Sequence, residues 1–502
     1  MRDPVEWPTH DPLTHRTAST PERTALVDTD TNQEWTFRAL DSLVNDLAAR
    51  VAALPGQTDT ARVATLASTR VGFVVAAHAV WRTGRTLVPL NVELTDEELA
   101  AQVAQADPDV LVCEGSTESR AVSLFDGPVA SLDRPSHDEV VPFQPADERP
   151  VPAVEPATWH RDDDAVVMFT SGTTGEPKGV RLTLGNLVAS ATASAFRLGV
   201  GPGDRWLCCL PTYHMGGLAP IVRTALYGSS LVLQPSFDAD RTAAVLSDYG
   251  VTGVSLVPTM LHRLLETEWT PPESLSTVLL GGAPADESLV EDALERSVPV
   301  YPTYGMTETA SQIATATPSQ VRERAGTVGQ PLVVTEVTVV DAAGTPVPVG
   351  ETGEVVVDGP TVTPGYLRDE QTATAFCEHG LRTGDIGRHD DYGLLWVLGR
   401  TDDTIVTGGE NVHPEAVARA IRAHPGVADV AVVGLPDEEW GERIAALVVP
   451  DDETLTSEDV DAVARERLAA YKVPKTVGLA TSLPRTPSGT VDRAAVRDLL
   501  RE

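Results

Sequence analysis

The sequence predicts an α/β fold in which a large N-terminal domain, made of two α/β subdomains plus a β-barrel-like subdomain, precedes a small, mobile C-terminal α+β lid. Three observations predict it. Strand-like and helical segments alternate over residues 36–90 and again over 165–289, residues 335–399 are rich in β-branched residues and turns, and residues 401–502 have a separate pattern. Alternating strands and helices are typical of a parallel sheet covered by helices. We therefore place the boundary between an N-terminal domain, residues 1–400, and the lid, residues 401–502.

The two alternating series predict the elements of the two α/β subdomains. In the first series, apolar periodicity indicates two helices and two strands. The helices are Phe37–Leu54 and Val71–Thr83, and the strands begin at Arg62 and Leu87. In the second series, three apolar runs are typical of buried parallel strands. These runs begin at Ala165, Ser230 and Val254. Residues 116–164, between the two series, are rich in Pro, Asp and Glu, so we expect mostly surface loop there.

The C-terminal third predicts the remaining two parts of the fold. Residues 337–346 and 353–360 read as strands bounded by turns, which indicates a small barrel-like subdomain ending near Gly399. The lid that follows has the size of an ordinary small domain. Its predicted elements are a hairpin, a helix Pro414–Ala423, strands Val427–Val433 and Ile444–Val449, a helix Ser457–Ala470 and a Pro-rich tail.

The charge balance excludes some partners and indicates a salty environment. The chain has 73 acidic and 38 basic residues, a formal charge of −35, and the excess is spread along its length. Such a surface argues against a nucleic-acid partner. Only three residues are lysine, Lys178, Lys472 and Lys475, and an acidic, lysine-poor composition resembles that of proteins from salt-loving organisms. At about 1 M salt the Debye length is only ~3 Å, so surface carboxylates repel one another little.

Cysteine usage and hydropathy indicate the compartment. The four cysteines show no CxxC spacing, which fits a reducing compartment and argues against structural zinc. The N-terminus has no apolar core typical of a signal peptide, and no stretch approaches the ~20 apolar residues of a membrane span. We therefore expect a soluble, cytoplasmic protein. The sequence leaves its oligomeric state open, a homodimer included.

A glycine- and hydroxyl-rich loop, Thr170–Gly179, follows the strand at residues 165–169 directly. Glycines let backbone N–H groups approach phosphate oxygens, and hydroxyls and a lysine add donors and charge. It is not a Walker A loop, because Glu176 and Pro177 separate the second glycine from Lys178. The alternative is a polar turn. The predicted phosphate-binding residues are Thr170, Ser171, Gly172, Thr173, Thr174, Gly175 and Lys178.

This loop resembles the phosphate loop of the adenylate-forming superfamily, which comprises acyl-CoA synthetases, peptide-synthetase adenylation domains and luciferases. Later segments resemble the superfamily's other motifs in the same order. They are Gly281–Pro284, Tyr304–Glu308, Thr383–Asp385, Gly399–Asp403 and Gly408–Pro414. The resemblance covers about residues 23–500 and implies ATP, Mg²⁺ and coenzyme A as the small molecules bound.

The resemblance implies a role for each motif. Gly282, Ala283 and Pro284 lie on the adenine side, Tyr304 stacks on adenine, Thr307 contacts phosphates, and Glu308 holds Mg²⁺. Asp385 binds the ribose, Arg400 lies at the hinge, Asp402 is the hinge residue, and Gly408, Gly409, Glu410 and Asn411 line the coenzyme A channel. A carboxylate suits the Mg²⁺ position because Mg²⁺ prefers hard oxygen ligands shared with phosphates. Taken alone, the segment at 281–284 could equally be an ordinary strand-to-helix turn.

Three segments narrow the resemblance to the o-succinylbenzoate CoA ligases of menaquinone synthesis: Pro211–Leu218, Tyr301–Gln312 and Gly434–Glu442. That substrate has two carboxylates, so the site needs a cation or strong donors for the one that does not react. Arg223, in an otherwise apolar stretch, is the predicted cation. The other predicted substrate residues are His214, Gly217, Ser311 and Gln312. Two alternatives stay open, that Arg223 only snorkels from a helix and that His214 is an ordinary core histidine.

One position departs from the superfamily pattern. The lid normally ends in Pro-Arg-Thr-x-x-Gly-Lys, whose lysine reaches the α-phosphate, and here Thr490 stands in its place. Threonine has one donor and no charge, so we expect a weaker adenylation step. Candidate substitutes for the missing charge are Arg485, Arg493, Lys472 and Lys475.

The resemblance therefore implies an ATP-dependent acid–thiol ligase that converts o-succinylbenzoate to its acyl-AMP and then to o-succinylbenzoyl-CoA. The predicted catalytic residues are Lys178, Thr307, Glu308, Arg400 and Thr490. Three alternatives stay open. The chain could act on another aromatic or fatty acid, it could be a peptide-synthetase-like module, although no carrier domain follows, or it could bind an acyl-AMP without catalysis, which only Thr490 supports.

Overall fold

The computed structural model describes most of the chain. The described residues are 7–54, 61–143, 154–171, 177–403, 405–407, 410–412, 414–437, 440–451, 454–468, 470–485 and 491–501. They form helices and strands in alternation over the first three hundred residues, which confirms the predicted α/β class.

The helices have the following bounds: α1 Pro12–Ser19, α2 Phe37–Ala53, α3 Val71–Arg82, α4 Asp96–Ala106, α5 Glu118–Leu124, α6 Leu184–Leu198, α7 Met215–Tyr227, α8 Ala239–Asp248, α9 Pro258–Glu266, α10 Glu287–Glu295, α11 Pro318–Glu323, α12 Asp369–Ala375, α13 Pro414–Arg422, α14 Ser457–Arg467 and α15 Arg493–Leu499. Short 3₁₀ helices span Thr307–Thr309, Thr401–Asp403 and Ala470–Lys472.

The strands have the following bounds: β1 Thr24–Asp28, β2 Gln33–Thr36, β3 Arg62–Leu66, β4 Thr86–Pro89, β5 Val110–Cys113, β6 Val129–Ser131, β7 Val141–Pro142, β8 Asp164–Ser171, β9 Pro177–Thr183, β10 Arg205–Cys208, β11 Ser230–Leu233, β12 Gly253–Leu256, β13 Thr277–Leu280, β14 Val300–Met306, β15 Ser311–Thr315, β16 Gln330–Pro331, β17 Glu336–Val340, β18 Gly353–Asp358, β19 Gly365–Tyr366, β20 Phe376–Cys377, β21 Gly380–His389, β22 Leu395–Arg400, β23 Ile405–Thr407, β24 Glu410–Val412, β25 Val427–Asp437, β26 Gly441–Pro450 and β27 Thr476–Leu479.

Two large sheets correspond to the two predicted α/β subdomains. The sheet that begins earlier in the chain has the order β16-β15-β14-β13-β12-β10-β11-β1-β2. Its strands β10 to β14 run parallel to one another, whereas β15 is antiparallel to β14. The second has the order β19-β9-β8-β4-β3-β5-β6-β7, with β3 to β6 and β8 parallel. Central strands such as β4 and β13 are buried at every residue, as expected where helices cover both faces.

Two smaller sheets follow. One has the order β17-β18-β21-β20, with β22 paired to β21, and it occupies the region predicted to be barrel-like. The other has the order β24-β23-β26-β25, with β27 paired to β26. In the second of these, helices α13 and α14 bury apolar side chains such as Val417, Ile421 and Val460 in a core of their own.

The chain divides into two compact units. One comprises residues 1–337 and 357–381, and the other comprises residues 338–356 and 382–502. The boundary predicted at residue 400 remains a prediction. None of the described helices is long and apolar enough to cross a bilayer.

Two stretches hold more regular structure than the sequence indicated. Within residues 116–164, predicted to be mostly surface loop, lie α5 and the buried strand β6. Strand β6 has only three residues, which is too short for a periodic pattern to be recognised. On α5, Glu118 can be buried because backbone and side-chain groups of Ser136 and His137 donate hydrogen bonds to its carboxylate. The predicted Pro-rich tail contains β27 and α15. The N-cap of α15 is Asp492, whose side chain accepts from two backbone N–H groups.

Candidate active site

Three predicted site segments lie at one edge of the first large sheet. Strands β10, β13 and β14 run parallel, so their carboxyl ends share an edge. The segment leading to His214 follows β10, the exposed turn Gly282–Pro284 follows β13, and Tyr304 lies near the end of β14. Ligands of parallel α/β sheets bind at this edge. The fold therefore brings the predicted adenine-side and substrate segments together.

The hairpin of β14 and β15 has an unusually close backbone. A Cβ atom at Gly305 would lie 1.7 Å from the carbonyl oxygen of Ser311, so only glycine fits. Where β15 begins, Ala310 and Ser311 have positive φ angles of 51° and 124°. Non-glycine residues in such conformations are uncommon and cluster at functional sites. The strain therefore lies at a predicted substrate residue.

The predicted phosphate loop joins two antiparallel strands. Thr170, on β8, pairs with Lys178, on β9. Gly172, Thr173, Thr174 and Gly175 lie outside the described residues, as does the side chain of Ser171. Because β8 is also parallel to β4, its carboxyl end opens at the edge of the second large sheet. Strand β9 was not predicted, because Pro177 and the glycines obscure its alternation of apolar and polar residues.

Tyr366 connects Lys178 to Glu308. The Tyr366 hydroxyl donates to Oε1 of Glu308 over 3.0 Å, and Nζ of Lys178 lies 5.6 Å from the centre of the Tyr366 ring. Glu308 is buried, and its carbonyl oxygen accepts from the backbone N–H of Thr363 over 2.7 Å. Thr307, the preceding residue, opens the same 3₁₀ helix. The predicted phosphate lysine and the predicted Mg²⁺ carboxylate thus both contact one tyrosine, the lysine at its ring and the carboxylate at its hydroxyl.

His214 and Gly217 begin α7. His214 is the N-cap residue and reaches solvent, while its ring stacks edge-on against Tyr213 at 4.9 Å between centres. Nearby protein atoms remove water from the imidazole, and this lowers the pKa of His214. A Cβ at Gly217 would lie 2.3 Å from the carbonyl oxygen of Pro211. Glycine is therefore needed at 217 for the helix to start close to the preceding loop.

Arg223 is a buried cation on α7. It is 7% exposed, and its Nη2 donates to Oγ of Ser190 over 3.3 Å. Among the described residues no carboxylate forms an ion pair with it. Burial lowers the pKa of the Arg223 guanidinium, an effect that the nearby Tyr227 opposes. The snorkelling alternative is therefore wrong, since the charge does not reach open solvent.

Gln312 is 1% exposed and points its amide into the protein. Its Nε2 donates to Oγ1 of Thr315 over 2.8 Å. Its Oε1 has no hydrogen-bond partner among the described residues. The amide donor is therefore used within the protein, and the unpaired group is a buried acceptor.

The predicted ribose and hinge residues form a pair in the second compact unit. Asp385 on β21 lies opposite Arg400 on β22, with Nη1 of Arg400 3.4 Å from Oδ1 of Asp385. The backbone N–H of Asp385 donates to Oγ1 of Thr383, whose hydroxyl in turn donates to the carbonyl of Val355. The hydrogen bond to Val355, on β18, therefore fixes the turn Thr383–Asp385 to the neighbouring strand.

Several predicted lid residues lie beyond what the structure describes. They are Thr490, Gly408 and Gly409, and the side chains of Asp402, Glu410 and Asn411. Of the candidate substitutes for the missing lysine, Arg485 forms an ion pair with Asp429 at 2.8 Å and Arg493 forms one with Asp403. Lys472 and Lys475 lie over the rings of Tyr471 and Trp440. Each candidate already has a protein partner in its own unit.

The sequence model of the AMP-binding enzyme family matches residues 13–367, and that of the AMP-binding enzyme C-terminal domain matches residues 416–490. The chain belongs to the AMP-binding enzyme family. This membership confirms the resemblance predicted from the phosphate loop and the later motifs.

Similar proteins match this AMP-binding enzyme over nearly its whole length. A 2-succinylbenzoate–CoA ligase of Bacillus velezensis is 38% identical over 489 residues, 97% of each chain, and that of Bacillus licheniformis is 37% identical over 490 residues, 96% of this chain and 98% of the relative. The structure of o-succinylbenzoate CoA synthetase from Bacillus subtilis with its acyl-adenylate intermediate has a TM-score of 0.89 and 34% identity over 97% of this chain and 98% of that one. ATP-bound MatB from Rhodopseudomonas palustris has a TM-score of 0.90 at 28% identity, over 98% and 99% of the chains.

Two residues of this AMP-binding enzyme stand beside the site although the sequence analysis did not single them out. Tyr366 contacts Glu308 across more than fifty residues of sequence, and Ser190 contacts Arg223 from the neighbouring helix. Neither has a spacing that predicts a role. The only feature of the sequence that marks Tyr366 is its position directly after Gly365 and the threonine-rich segment 361–363.

Proposed function

We propose that the protein activates o-succinylbenzoate with ATP to give o-succinylbenzoyl-AMP and pyrophosphate, and then transfers the acyl group to the thiol of coenzyme A, releasing AMP. Relatives named 2-succinylbenzoate–CoA ligase, which match nearly the whole chain, support this reaction. The observation that carries the choice of acid is Arg223, a buried guanidinium without a carboxylate partner among the described residues. A second carboxylate on the substrate supplies the missing anion.

In the first step a carboxylate oxygen of the acid attacks the α-phosphorus of ATP, and the bond to the bridging oxygen of pyrophosphate breaks. The protein binds and orients the two reactants and stabilises the charge on the leaving phosphates. Lys178 provides positive charge at the end of the phosphate loop, and the backbone and hydroxyls of that loop provide donors. Tyr304, at the carboxyl edge of the sheet, provides the ring for adenine.

Mg²⁺ fits the residues at this site. Glu308 supplies a buried carboxylate with one oxygen already fixed by Tyr366. The described residues contain no group of three or more His, Cys, Asp or Glu side chains able to hold a metal by themselves. One carboxylate combined with substrate phosphates is the usual arrangement for Mg²⁺. When bound, the ion neutralises phosphate charge.

In the second step the thiol sulfur of coenzyme A attacks the acyl carbonyl, the carbon–oxygen bond to AMP breaks, and the thiol proton is lost to solvent. The acid meets ATP in the first step and the thiol of coenzyme A in the second. We therefore propose that the C-terminal domain, residues 401–502, moves about Asp402 between the two steps. Asp385 holds the ribose of AMP in both steps, with Arg400 beside it. We also propose that the enzyme works in the cytoplasm of a cell with a high internal salt concentration.

The assignment of Arg223 is tested by replacing it with leucine. Loss of a charged hydrogen-bonding partner is worth about 1.5–3 kcal/mol, so the KM for o-succinylbenzoate rises about 10- to 100-fold. The matched control is Arg197→Leu. Arg197 lies on α6, half buried, and donates only to the carbonyls of Gln330 and Pro331 among the described residues. An unchanged KM in Arg223→Leu removes Arg223 from the substrate site.

A non-catalytic acyl-AMP binder is the second candidate, because Thr490 replaces the expected lysine. The two functions differ in turnover. A ligase releases pyrophosphate continuously when coenzyme A is present, whereas a binder retains at most one acyl-AMP per protein molecule. Lys178, Glu308, Asp385 and Arg400 are all present, which favours the ligase.

A further inference from the structure

Ser190, on α6, has two hydrogen bonds that no site motif accounts for. Its Oγ accepts from Nη2 of Arg223 over 3.3 Å and donates to the carbonyl oxygen of Ala310 over 2.7 Å. Ser190 is 2% exposed, so both bonds lie in a region that water does not reach. One buried hydroxyl therefore joins the buried cation of α7 to the turn between β14 and β15.

That turn is strained at the residues that Ser190 fixes. Ala310 and Ser311 both have positive φ, and a β-carbon at Gly305, on the opposite strand, would clash with Ser311. Such conformations cost of order 1–3 kcal/mol each and persist only where neighbouring groups fix them. The bond from Ser190 to the carbonyl of Ala310 is a contact of this kind. Without it, that carbonyl oxygen would lose its buried donor.

The guanidinium needs the same support. Arginine has five N–H donors in a fixed fork, and among the described residues the one hydrogen bond of the Arg223 side chain goes to Ser190. Tyr227, one turn further along α7, donates its hydroxyl to the carbonyl of Ala191 and forms no hydrogen bond with Arg223 among the described residues. The rotamer of Arg223 therefore depends on the hydroxyl of α6.

We infer that Ser190 is a positioning residue for substrate selection: it holds the Arg223 guanidinium and the strained Ala310–Ser311 turn in register, so that both face one dicarboxylate substrate. The inference rests on the proposed function and deepens it. A substrate with one carboxylate leaves the cation unpaired and gains nothing from this arrangement. Ser190 thus acts on the preference for the dicarboxylate and not on the transfer chemistry.

The test compares o-succinylbenzoate with two monocarboxylate analogues, 4-oxo-4-phenylbutanoate and 2-butanoylbenzoate. The analogue that retains the reacting carboxylate is the one turned over, and it becomes the reference. The quantity measured is the ratio of kcat/KM for o-succinylbenzoate to kcat/KM for that reference, each determined on the same preparation in molar KCl. Because both values scale with the amount of folded enzyme, the ratio is independent of any loss of stability.

In Ser190→Ala we expect this ratio to fall about tenfold, mainly through a higher KM for o-succinylbenzoate, while kcat and KM for the reference analogue stay close to wild type. Ser190→Thr, which retains the hydroxyl, keeps most of the ratio. The matched control is Thr192→Ala on the same helix. Thr192 is exposed, and its hydroxyl donates to the carbonyl of Val188, so that variant also loses one hydroxyl bond but none to Arg223.

The outcomes separate this inference from the function on which it rests. A wild-type protein that does not prefer the dicarboxylate overturns the proposed substrate and, with it, the role of Ser190. A wild-type protein that prefers the dicarboxylate, together with an unchanged ratio in Ser190→Ala, overturns the inference alone. Equal falls for both substrates in Ser190→Ala contradict it as well, because they indicate a general structural role.

Discussion

The buried charge of Arg223 costs free energy in the free protein, and the proposed function gives that charge a use in the substrate complex. Moving a charge out of water costs several kcal/mol unless a partner compensates, and the described residues offer Arg223 a hydroxyl but no carboxylate. Removal of water from the guanidinium shifts its pKa downward, which reports the same cost. A dicarboxylate would repay it on binding. The proposed function thus accounts for a charged residue in an otherwise apolar stretch of α7.

His78, on α3, provides a residue-scale prediction for stability. It is fully buried beside Trp81, Asp11 and Arg82, and burial lowers its pKa to about 4. Below its ordinary pKa of about 6.5, the unfolded chain binds a proton that the folded chain does not, so stability falls as pH drops from 6.5 toward 4. Between pH 7 and 5.5 we expect this histidine to account for a loss of about 1 kcal/mol.

Urea unfolding of His78→Leu in molar KCl at these two pH values checks the prediction. The variant should lose less stability than wild type by that amount over the interval. The matched control is His262→Leu, since His262 is 65% exposed on α9. A variant with the same pH dependence as wild type would show that His78 is not the group responsible.

The residues of the site differ in how far the sequence could reveal them. Lys178, Glu308 and Asp385 lie in motifs whose order along the chain is distinctive, and Arg223 is noticeable as a charge within apolar sequence. Tyr366 and Ser190 are ordinary residues in ordinary segments. Their contacts with Glu308 and Arg223 arise only when β19 pairs with β9 and α6 packs on α7. No local pattern encodes such tertiary contacts.

At the scale of elements, periodicity located the long helices and central strands to within one or two residues, as with α2 and α3. It failed for β6, β9 and β27, which are short or interrupted by proline and glycine. The hairpin of β14 and β15 is intermediate. Its motif was recognised, but the positive φ angles at Ala310 and Ser311 follow from the close approach of Gly305 and could not be read from residue types.

Gly305→Ala tests the importance of this hairpin. The new methyl group would meet the Ser311 carbonyl at 1.7 Å, where the neighbour is backbone and cannot rotate away. We expect a loss of about 3 kcal/mol or more in the free energy of unfolding. The matched control is Gly203→Ala in a surface turn, where no atom lies within 4 Å of the added carbon. Equal unfolding midpoints for the two variants would contradict the geometry described for the hairpin.

At the scale of the whole molecule, the dominant feature is the formal charge of −35. Like charges on one surface repel and destabilise the compact state, and salt screens that repulsion. We expect the melting temperature to rise by several degrees between dilute buffer and molar KCl. Sucrose serves as the control, since it favours burial without screening charge. A melting temperature that does not rise with KCl, or that rises equally with sucrose, would count against a halophilic protein.

The central claim is that this AMP-binding enzyme is a ligase for o-succinylbenzoate. The most direct measurement is pyrophosphate release in molar KCl with Mg-ATP and o-succinylbenzoate, with and without coenzyme A, beside benzoate and medium-chain fatty acids. We predict continuous release that requires o-succinylbenzoate and is sustained by coenzyme A, which would also show that Thr490 is compatible with adenylation. Release with another acid in preference would contradict the substrate, and no release with any of the acids would contradict the ligase itself.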